Sequence, residues 1–356
     1  MPELRLVSIS MEETMPIIEA KNLTKHFRVF RRREGLRGAV QDLFHREYTV
    51  LKAVDNLDFT VEKGEMVGYI GANGAGKSTT IKMFTGILFP TSGELRVNGF
   101  VPYKEREKYT RGIGVVFGQR SQLWWDLAVI ESFRLLGKIY QVPSATLEKR
   151  IKYFEEILEL GAFLHHPVRK LSLGQRMRCE LSAAFLHDPP LVFLDEPTIG
   201  LDVLAKAKIR EFLQEINRSQ QTTVLLTTHD LGDIEALCSR VVIIDQGKQV
   251  YDGSLEELRR GFGGEGYLHL ELARSVTSEE WHSQVGSFDI EWVRDGEYRW
   301  KGKFSRDRIA PAQVLAGILG SFPVKDVQFQ EVPIEEIVGR IYKGDNGKGE
   351  QVDGVN

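Results

Sequence analysis

A glycine-rich segment between a strand pattern and a helix pattern most strongly constrains the fold of this chain. Residues 71–78 read GANGAGKS, directly after the apolar run 66–70 and before a helical pattern over 79–88. The spacing G-x-x-x-x-G-K-[ST] in this position is typical of phosphate-binding loops, whose backbone N–H groups surround phosphate oxygens at the start of a helix. The segment therefore predicts an open α/β sheet with an anion site at the carboxyl end of a strand.

The polar residues of this loop have predicted roles. Lys77 is expected to reach the β and γ phosphates of a nucleotide, and the Ser78 hydroxyl is expected to ligate Mg²⁺. The other candidate binding residues of the loop are Gly71, Asn73, Gly74, Ala75, Gly76 and Thr79. A purely structural glycine turn is the alternative, but such a turn rarely carries both the lysine and the hydroxyl in register.

Two carboxylates follow another apolar strand pattern, LVFLD at 191–195. A carboxylate at the end of a buried strand is costly without a cation, so Asp195 is expected to hold Mg²⁺ through water. Glu196 is expected to polarise an attacking water, because both side chains can face the nucleotide where the strand frays. An ordinary surface acid is the alternative for Glu196.

Length and composition limit the class of protein. A chain of 356 residues, 42% of them hydrophobic, is long enough for about two domains. The mean hydropathy is −0.23 and no run of about 18 apolar residues occurs, so the chain is not expected to cross a bilayer by itself. The first residues lack the apolar block of a secretory signal, which favours a cytosolic location. A net charge of −3 gives no global attraction to nucleic acid, and two cysteines form no disulfide framework.

The character of the sequence changes near residue 260, where a glycine cluster over residues 261–266 predicts a linker. Residues 1–260 are predicted to form the nucleotide-binding domain, with a helical subdomain in the region 120–187. Residues 261–342 are predicted to form a small α+β accessory domain, and their element order is compatible with a ferredoxin-like sandwich. The polar, Gly-rich residues 343–356 are expected to be disordered.

A basic insert, residues 28–49, separates strand patterns at 17–27 and 50–61. The insert has six arginines against three acids, and its apolar residues have helical spacing. An amphipathic helix that contacts a membrane surface or a partner would have this pattern, and so would a solvated surface loop.

Four further motifs occur in the order of one protein family. They are a Q-loop glutamine, Gln119; a signature segment, Leu171, Ser172, Leu173, Gly174 and Gln175; a D-loop, Gly200, Leu201 and Asp202; and a switch histidine, His229. Together with the glycine loop and LVFLDE they span residues 20 to 255, and the chain resembles the nucleotide-binding subunit of an ABC transporter. The signature segment and the histidine separate this family from other phosphate-loop NTPases.

The resemblance implies a P-loop ABC ATPase core that binds ATP with Mg²⁺ and works as a head-to-tail dimer. Each ATP would lie between the glycine loop of one subunit and the signature segment of the other. The signature segment leads into a predicted helix over residues 176–187, whose N-terminus would face the γ phosphate. The implied catalytic residues are Glu196, His229 and Lys77, and the implied metal ligands are Ser78, Gln119 and Asp195. Phe27 is the implied aromatic partner of the base, with Tyr48 or a core role for Phe27 as alternatives.

The sequence departs from the family pattern at two positions. Leu173 stands where glycine is commonest, and Ile199 stands where a small polar residue is usual. Residues assigned to charge or phosphate contacts are intact, so a competent site is expected.

Within the family, the chain resembles the ABC-2 type exporter ATPases of the drug-resistance and polysaccharide-export group, through the stretch 114–127 and the basic insert. The resemblance implies separate transmembrane permease subunits, a place at the cytoplasmic face of the cell membrane and no nucleic-acid partner. Trp124 and Trp125 are predicted to anchor a permease helix, with core packing as the alternative.

An ABC ATPase acting on a soluble or nucleic-acid machine is the alternative function. Gln119 and Leu171 are 52 positions apart, which leaves no room for the long coiled coil of chromosome-associated members. The sequence also has one phosphate loop, whereas translation-associated members have two. A transport ATPase is therefore the favoured interpretation.

An apolar stripe, Ile334, Ile337 and Ile341, occurs at helical spacing in the accessory domain. It predicts either a surface that regulates or enlarges the dimer or a helix that closes the accessory domain's own core.

Overall fold

The computed structural model describes residues 15–30, 48–118, 120–262, 264–285, 289–305, 308 and 311–343. The chain divides into two compact units, Met1–Asp252 and Gly253–Asn356. Three sequence predictions lie outside the described residues: the helix of the basic insert within 31–47, the Q-loop residue Gln119, and the disordered tail from residue 344 onward.

The first unit contains two sheets and surrounding helices. Its described elements are β1 (Ile18–Phe30), β2 (Tyr48–Val61), β3 (Met66–Gly71), α1 (Lys77–Phe84), β4 (Ser92–Val97), α2 (Arg106–Thr110), β5 (Ile113–Phe117), α3 (Val129–Ile139), α4 (Ser144–Ile157), α5 (Leu173–Phe185), β6 (Leu191–Asp195), α6 (Val203–Gln220), β7 (Thr223–Thr227), α7 (Leu231–Leu237), β8 (Arg240–Asp245) and β9 (Lys248–Ser254), the last of which crosses the boundary to the second unit.

The larger sheet carries the predicted α/β core. Its strand order is β5-β6-β7-β3-β8-β9, and the neighbours from β5 to β8 are parallel. Every residue of β3 and β7 is buried, as expected for parallel strands that are covered on both faces. The carboxyl ends of β3, β6 and β7 consequently meet at one edge of the sheet, where their following loops lie side by side.

The smaller sheet is antiparallel, with the order β2-β1-β4. A hydrophobic core joins both sheets and α1. At its centre the ring of Phe84 on α1 stacks on Phe59 of β2 at 5.6 Å and contacts Phe193 of β6 at 6.4 Å. The helix that follows the glycine-rich loop is therefore fixed by packing on both sides.

Four predicted boundaries in the first unit are wrong by a few residues. Strands β1 and β2 extend into the predicted insert, because their pairing continues to Phe30 opposite Tyr48, whose rings are 6.0 Å apart. Helix α5 begins at Leu173 rather than at residue 176, because Ser172 caps its N-terminus. Helix α1 begins at Lys77, directly after Gly76, rather than at Thr79.

The second unit contains a four-stranded antiparallel sheet with the order β11-β12-β10-β13. Its described elements are α8 (Leu255–Phe262), β10 (Glu265–Leu272), α9 (Ser278–Val285), β11 (Ile290–Arg294), β12 (Arg299–Ser305), α10 (Pro311–Ser321), β13 (Val324–Glu331) and α11 (Ile334–Tyr342). Helices α9 and α10 pack their apolar residues on alternate residues of β10 and β12, around the stacked rings of Trp281 and Trp300.

The boundary between the units lies at 252/253 rather than at the predicted 260/261. Helix α8 belongs to the second unit because it packs on α11, and Arg259 forms an ion pair with Glu331 at 3.6 Å. Of the predicted apolar stripe on α11, Ile334 and Ile337 are fully buried. Within the described ranges, no helix combines the length and hydropathy needed to cross a membrane.

Replacing Phe84 by alanine is expected to lower the free energy of unfolding of the first unit by about 3–5 kcal/mol, because the ring is fully buried between the two sheets. Urea titration followed by circular dichroism measures this change. Phe89→Ala, which truncates a ring that is 60% exposed, is the control. A loss no larger than that of the control would contradict the packing described here.

Candidate nucleotide-binding site

A cavity of about 560 Å³ lies in the first unit, beside the carboxyl ends of β3, β6 and β7. Its lining includes five of the predicted site residues: Asn73, Ser78, Asp195, Glu196 and His229. The fold therefore brings together side chains from three separate motifs. The same cavity is also lined by residues that the sequence did not single out, among them Phe117, Gly118 and Arg120.

Lys77 is held in the wall of the glycine-rich loop. Its side chain is almost completely buried, and the ammonium Nζ donates to the carbonyls of Gly71 at 2.6 Å and Ala72 at 3.2 Å. Burial lowers the pKa of Lys77, and the carboxylates of Glu196 and Asp195 partly offset this. A buried ammonium beside a helix N-terminus is an arrangement that a bound polyanion would stabilise.

Gly76 allows the smaller sheet to pack directly on this loop. The residue has a φ of 113°, and a Cβ atom there would lie only 2.3 Å from the carbonyl oxygen of Ala53 on β2. On the other side, Gly247 donates its backbone N–H to the carbonyl of Ala75 at 2.9 Å. The loop conformation is therefore fixed from both sides, and only glycine fits at position 76. Gly71, Gly74 and Ala75 lie within this loop, and Thr79 lies in the first turn of α1.

Asp195 is the last residue of β6, and one of its carboxylate oxygens accepts a hydrogen bond. The hydroxyl of Thr227 donates to Asp195 Oδ1 at 2.6 Å, which orients the side chain. Asp195 and the Ser78 hydroxyl line the same cavity. Such oxygen donors fit Mg²⁺, a hard cation that prefers carboxylate, hydroxyl and water ligands.

Glu196 and His229 form a direct contact in the cavity. Glu196 has a φ of 58°, in the left-handed region, and precedes Pro197. This turn of the backbone, rather than fraying of the strand, explains how two successive carboxylates line one cavity. His229 Nε2 lies 2.6 Å from Glu196 Oε1. The pair can therefore share a proton or jointly orient a water molecule.

Gly118 positions the strand end that carries both carboxylates, and the sequence reasoning missed it. Its backbone N–H donates to the carbonyl of Asp195 at 2.8 Å. A Cβ atom at this position would lie 2.6 Å from the carbonyl oxygen of Glu196 and 3.0 Å from that of Asp195. The detectable signal was a glycine directly before the Q-loop glutamine.

Asp233 was also missed. This carboxylate is completely buried on α7, where it accepts from Thr198 Oγ1 and from Arg210 Nε at 2.6 Å, with Thr228 Oγ1 at 3.4 Å. Thr198 comes two residues after Glu196, and Thr228 directly precedes His229. The buried carboxylate of Asp233 thus ties together, through these two hydroxyls, the segments that present Glu196 and His229. A linear sequence pattern does not reveal this contact.

The two aromatic residues that could stack on the nucleotide base, Phe27 and Tyr48, lie at different distances from the glycine-rich loop. Phe27 pairs with Leu51, two residues along β2 from Ala53, which touches Gly76. The Tyr48 ring lies against that of Phe30. Tyr48 is five residues along β2 from Ala53, so at about 3.3 Å per residue it lies some 17 Å from the point where β2 touches the loop. This placement favours Phe27.

The signature segment lies at a different cavity, of about 540 Å³, whose lining includes Ser172, Gly174, Gln175 and Asp202. Ser172 caps α5: its hydroxyl accepts from the Gln175 N–H at 3.2 Å, and the Gln175 side chain accepts from the Ser172 N–H at 2.9 Å. Asp202 caps α6 by accepting from the Ala205 N–H at 2.8 Å. Among the residues that the structure describes, none that lines this cavity also lines the first one. Leu171 directly precedes the cap, and Leu173, the first residue of α5, is partly exposed.

Comparison with known proteins identifies similar chains. A family model described as ABC transporter matches residues 54–199. The chain is 32% identical over 233 residues to the ABC transporter ATP-binding protein NatA of Bacillus subtilis, covering 65% of this chain and 94% of that protein. It is 39% identical over 206 residues to the Nod factor export ATP-binding protein I of Cupriavidus metallidurans, covering 58% of this chain and 67% of that protein. It is also similar to the structure of a dimeric ATP-binding cassette in a post-hydrolysis state bound to ADP and Pi, with a TM-score of 0.56 and 26% sequence identity over 67% of this chain and 98% of that one.

Replacing Gly118 by alanine is expected to lower the rate of ATP hydrolysis by about 100-fold, because the new Cβ must displace the backbone that holds Asp195 and Glu196. Steady-state phosphate release measures the rate. Gly320→Ala is the matched control, because the new Cβ there has no described heavy atom within 4 Å apart from its chain neighbours and the backbone of its own helix. Equal rates for the two variants would show that the contact does not position the carboxylates.

Proposed function

The chain belongs to the family of ATP-binding subunits of ABC transporters, and on that premise we propose that two copies close around ATP and hydrolyse it to drive separate permease subunits. The family is one of ATPases, so hydrolysis itself is the established activity. The single observation that carries the proposal is the separation of the glycine loop and the signature segment into two cavities, which share no lining residue within the described part of the chain. One copy alone presents two half-sites, and head-to-tail pairing of two copies completes both.

The surfaces around the second half-site support this pairing. Leu204 and Val203, at the start of α6, are more than 80% exposed, and Leu173, the first residue of α5, is also exposed. Exposed apolar residues beside a site indicate a surface that another molecule covers. A dimeric cassette is among the similar structures. We infer that a second copy covers this surface when ATP is bound.

In the proposed reaction, the residues of the first half-site have distinct tasks. Lys77 and the loop N–H groups bind the phosphates, and Phe27 stacks on the base. Ser78 and Asp195, with Gln119, would hold Mg²⁺, which would neutralise charge on the phosphate oxygens. Glu196 takes the proton of the attacking water, and His229 orients Glu196 and the γ phosphate.

The second half-site contributes from the partner copy. Its Ser172 hydroxyl, the unobstructed backbone at Gly174 and the N-terminus of α5 face the γ phosphate across the interface. Asp202 orders the start of α6 beside them. Hydrolysis removes the γ phosphate that both copies hold, and the dimer then opens.

Permease subunits are the proposed membrane partners. Trp124 and Trp125 are 39% and 52% exposed, which argues against a core role for either. They lie on the same loop as the partly exposed Leu127, and Leu135 and Ile139 on α3 are exposed as well. A Trp pair with aliphatic neighbours is typical of a helix-docking surface. We therefore assign this patch to a permease helix, which would hold the chain at the cytoplasmic face of the membrane.

Export is the proposed direction of transport. It is supported by the similarity to an ATP-binding protein named for Nod factor export. The transported molecule would be bound by the permease subunits, so its identity is not a property of this chain.

Glu196→Gln is expected to slow ATP hydrolysis by about 10²- to 10⁴-fold while retaining ATP binding, because the amide cannot accept the proton of water. Size-exclusion chromatography with ATP is expected to show an accumulated dimer. Glu156→Gln, an exposed carboxylate on α4, is the control. Wild-type turnover in Glu196→Gln would remove this residue from its proposed role.

The double variant Trp124→Ala, Trp125→Ala is expected to abolish co-purification of permease subunits while ATP binding is retained, because truncation removes the largest exposed surface of the patch. Mass spectrometry of proteins eluted with the tagged chain from its native cells measures this. Val250→Ala, an exposed apolar residue on β9, is the control. Unchanged recovery of permease subunits would contradict the assignment.

A further inference from the structure

The loop of residues 121–127, here called the Trp loop, is bonded to the helices that follow it. The Trp124 N–H donates to Ser132 Oγ on α3 at 3.3 Å. The carbonyls of Trp125 and Leu127 accept from the N–H groups of Arg169 and Val168, just before the signature segment. These contacts attach the loop to the helical part of the first unit.

A residue with a buried carboxylate on α5, the helix that begins in the signature segment, forms three hydrogen bonds with the Trp loop. Glu180 is 4% exposed, and the proposed reaction does not use it. It accepts from Ser121 Oγ and from the Gln122 N–H at 3.1 Å, and its carbonyl accepts from Gln122 Nε2 at 3.0 Å. Burial raises the pKa of Glu180, while the hydrogen bonds from Ser121 and Gln122 partly offset this.

The same helix holds the exposed end of the loop. The Arg176 guanidinium lies over the Trp125 ring at 5.7 Å from its centroid. Arg176 is one turn before Glu180, so both contacts come from one face of α5. The loop therefore has two attachment points on the helix whose N-terminus is the signature segment.

The segment that precedes the Trp loop, residues 118–120, is attached to the core sheet at its described residues, Gly118 and Arg120. Gly118 bonds to Asp195, and the Arg120 N–H donates to the carbonyl of Phe117 at 2.9 Å. The change of attachment falls between residues 120 and 121. Among the described residues, the hydrogen bonds that join the Trp loop to other segments thus lie on the helical side. The loop nevertheless directly follows a segment that lines the nucleotide cavity.

We propose that Glu180 is a positioning residue that fastens the Trp loop to α5, so that the permease-docking surface and the signature segment move as one body. Glu180 lies about 10 Å along the helix from Leu173, at 1.5 Å per residue. A displacement of the Trp loop therefore reaches Ser172 and Gly174 through a rigid helix. The inference rests on the proposed function, because it assigns a route from the permease surface to the partner copy's ATP.

The test compares Glu180→Ala, Glu180→Gln, Ser121→Ala and the double variant Ser121→Ala, Glu180→Ala in the full-length chain. Hydrogen exchange of the peptide 120–127 reports the fastening itself, and it needs neither hydrolysis nor a permease. Exchange is expected to be about tenfold faster in Glu180→Ala and less affected in Glu180→Gln, which keeps one oxygen acceptor. Ser182→Ala, a buried hydroxyl of the same helix that bonds within α5, is the matched control and should leave this peptide unchanged.

The rate of ATP hydrolysis and the affinity for ATP together distinguish a positioning role of Glu180 from a general role in folding. At saturating ATP, kcat of Glu180→Ala is expected to fall about tenfold, with the ATP dissociation constant within about twofold of wild type. The double variant is expected to be no slower than Glu180→Ala, because both substitutions break the same contact. Glu180→Gln and Ser121→Ala keep the test decisive if Glu180→Ala does not fold.

Two results would overturn the inference while leaving the proposed function intact. One is an unchanged kcat in folded Glu180 variants of a chain that otherwise hydrolyses ATP. The other is a lower kcat without faster exchange of 120–127, or with additive effects of Ser121→Ala and Glu180→Ala. Failure of the proposed function would be seen separately, as absence of hydrolysis or of ATP-dependent dimers in the wild-type chain.

Discussion

A buried ammonium group is the constraint on which the first unit depends. Lys77 is almost completely removed from water, and its nearest acceptors among the described residues are the carbonyls of its own loop. An unneutralised buried charge is costly, and both carboxylates at the end of β6 lie close enough to raise its pKa. A nucleotide phosphate would neutralise the ammonium, fill the loop and separate it from the carboxylates. The loop supplies the carbonyls that hold this charge, and the end of β6 supplies the carboxylates nearest to it.

The geometry around this charge depends on backbone more than on side chains. Gly76 lets β2 touch the loop, and Gly118 lets the segment before the Q-loop touch the carbonyls of Asp195 and Glu196. The left-handed turn at Glu196 then brings its carboxylate to His229. These close approaches leave little freedom at the reacting end of the cavity, which is what a proton transfer to a positioned base requires.

Much of the site was predictable because its chemistry requires particular residues at fixed spacing. GANGAGKS, LVFLDE and His229 predicted five of the residues that line one cavity, and the apolar strands between them predicted the parallel sheet. Gly118 and Asp233 were not predicted, since their importance comes from atoms distant in sequence. The start of α5 was misplaced because the Ser172 cap was not used as a boundary signal. The second unit begins earlier than predicted because α8 packs on α11, a tertiary contact that the glycine cluster at residues 261–266 concealed.

The separation of the two cavities gives the account its central claim, that the ATP site is complete only between two copies. The dependence of ATP hydrolysis on protein concentration tests this claim most directly. Below the dissociation constant of the dimer, the total rate is expected to rise with about the second power of protein concentration. A strictly proportional rate down to the lowest concentration, with the protein monomeric by sedimentation, would show that one copy hydrolyses ATP alone and would contradict the account.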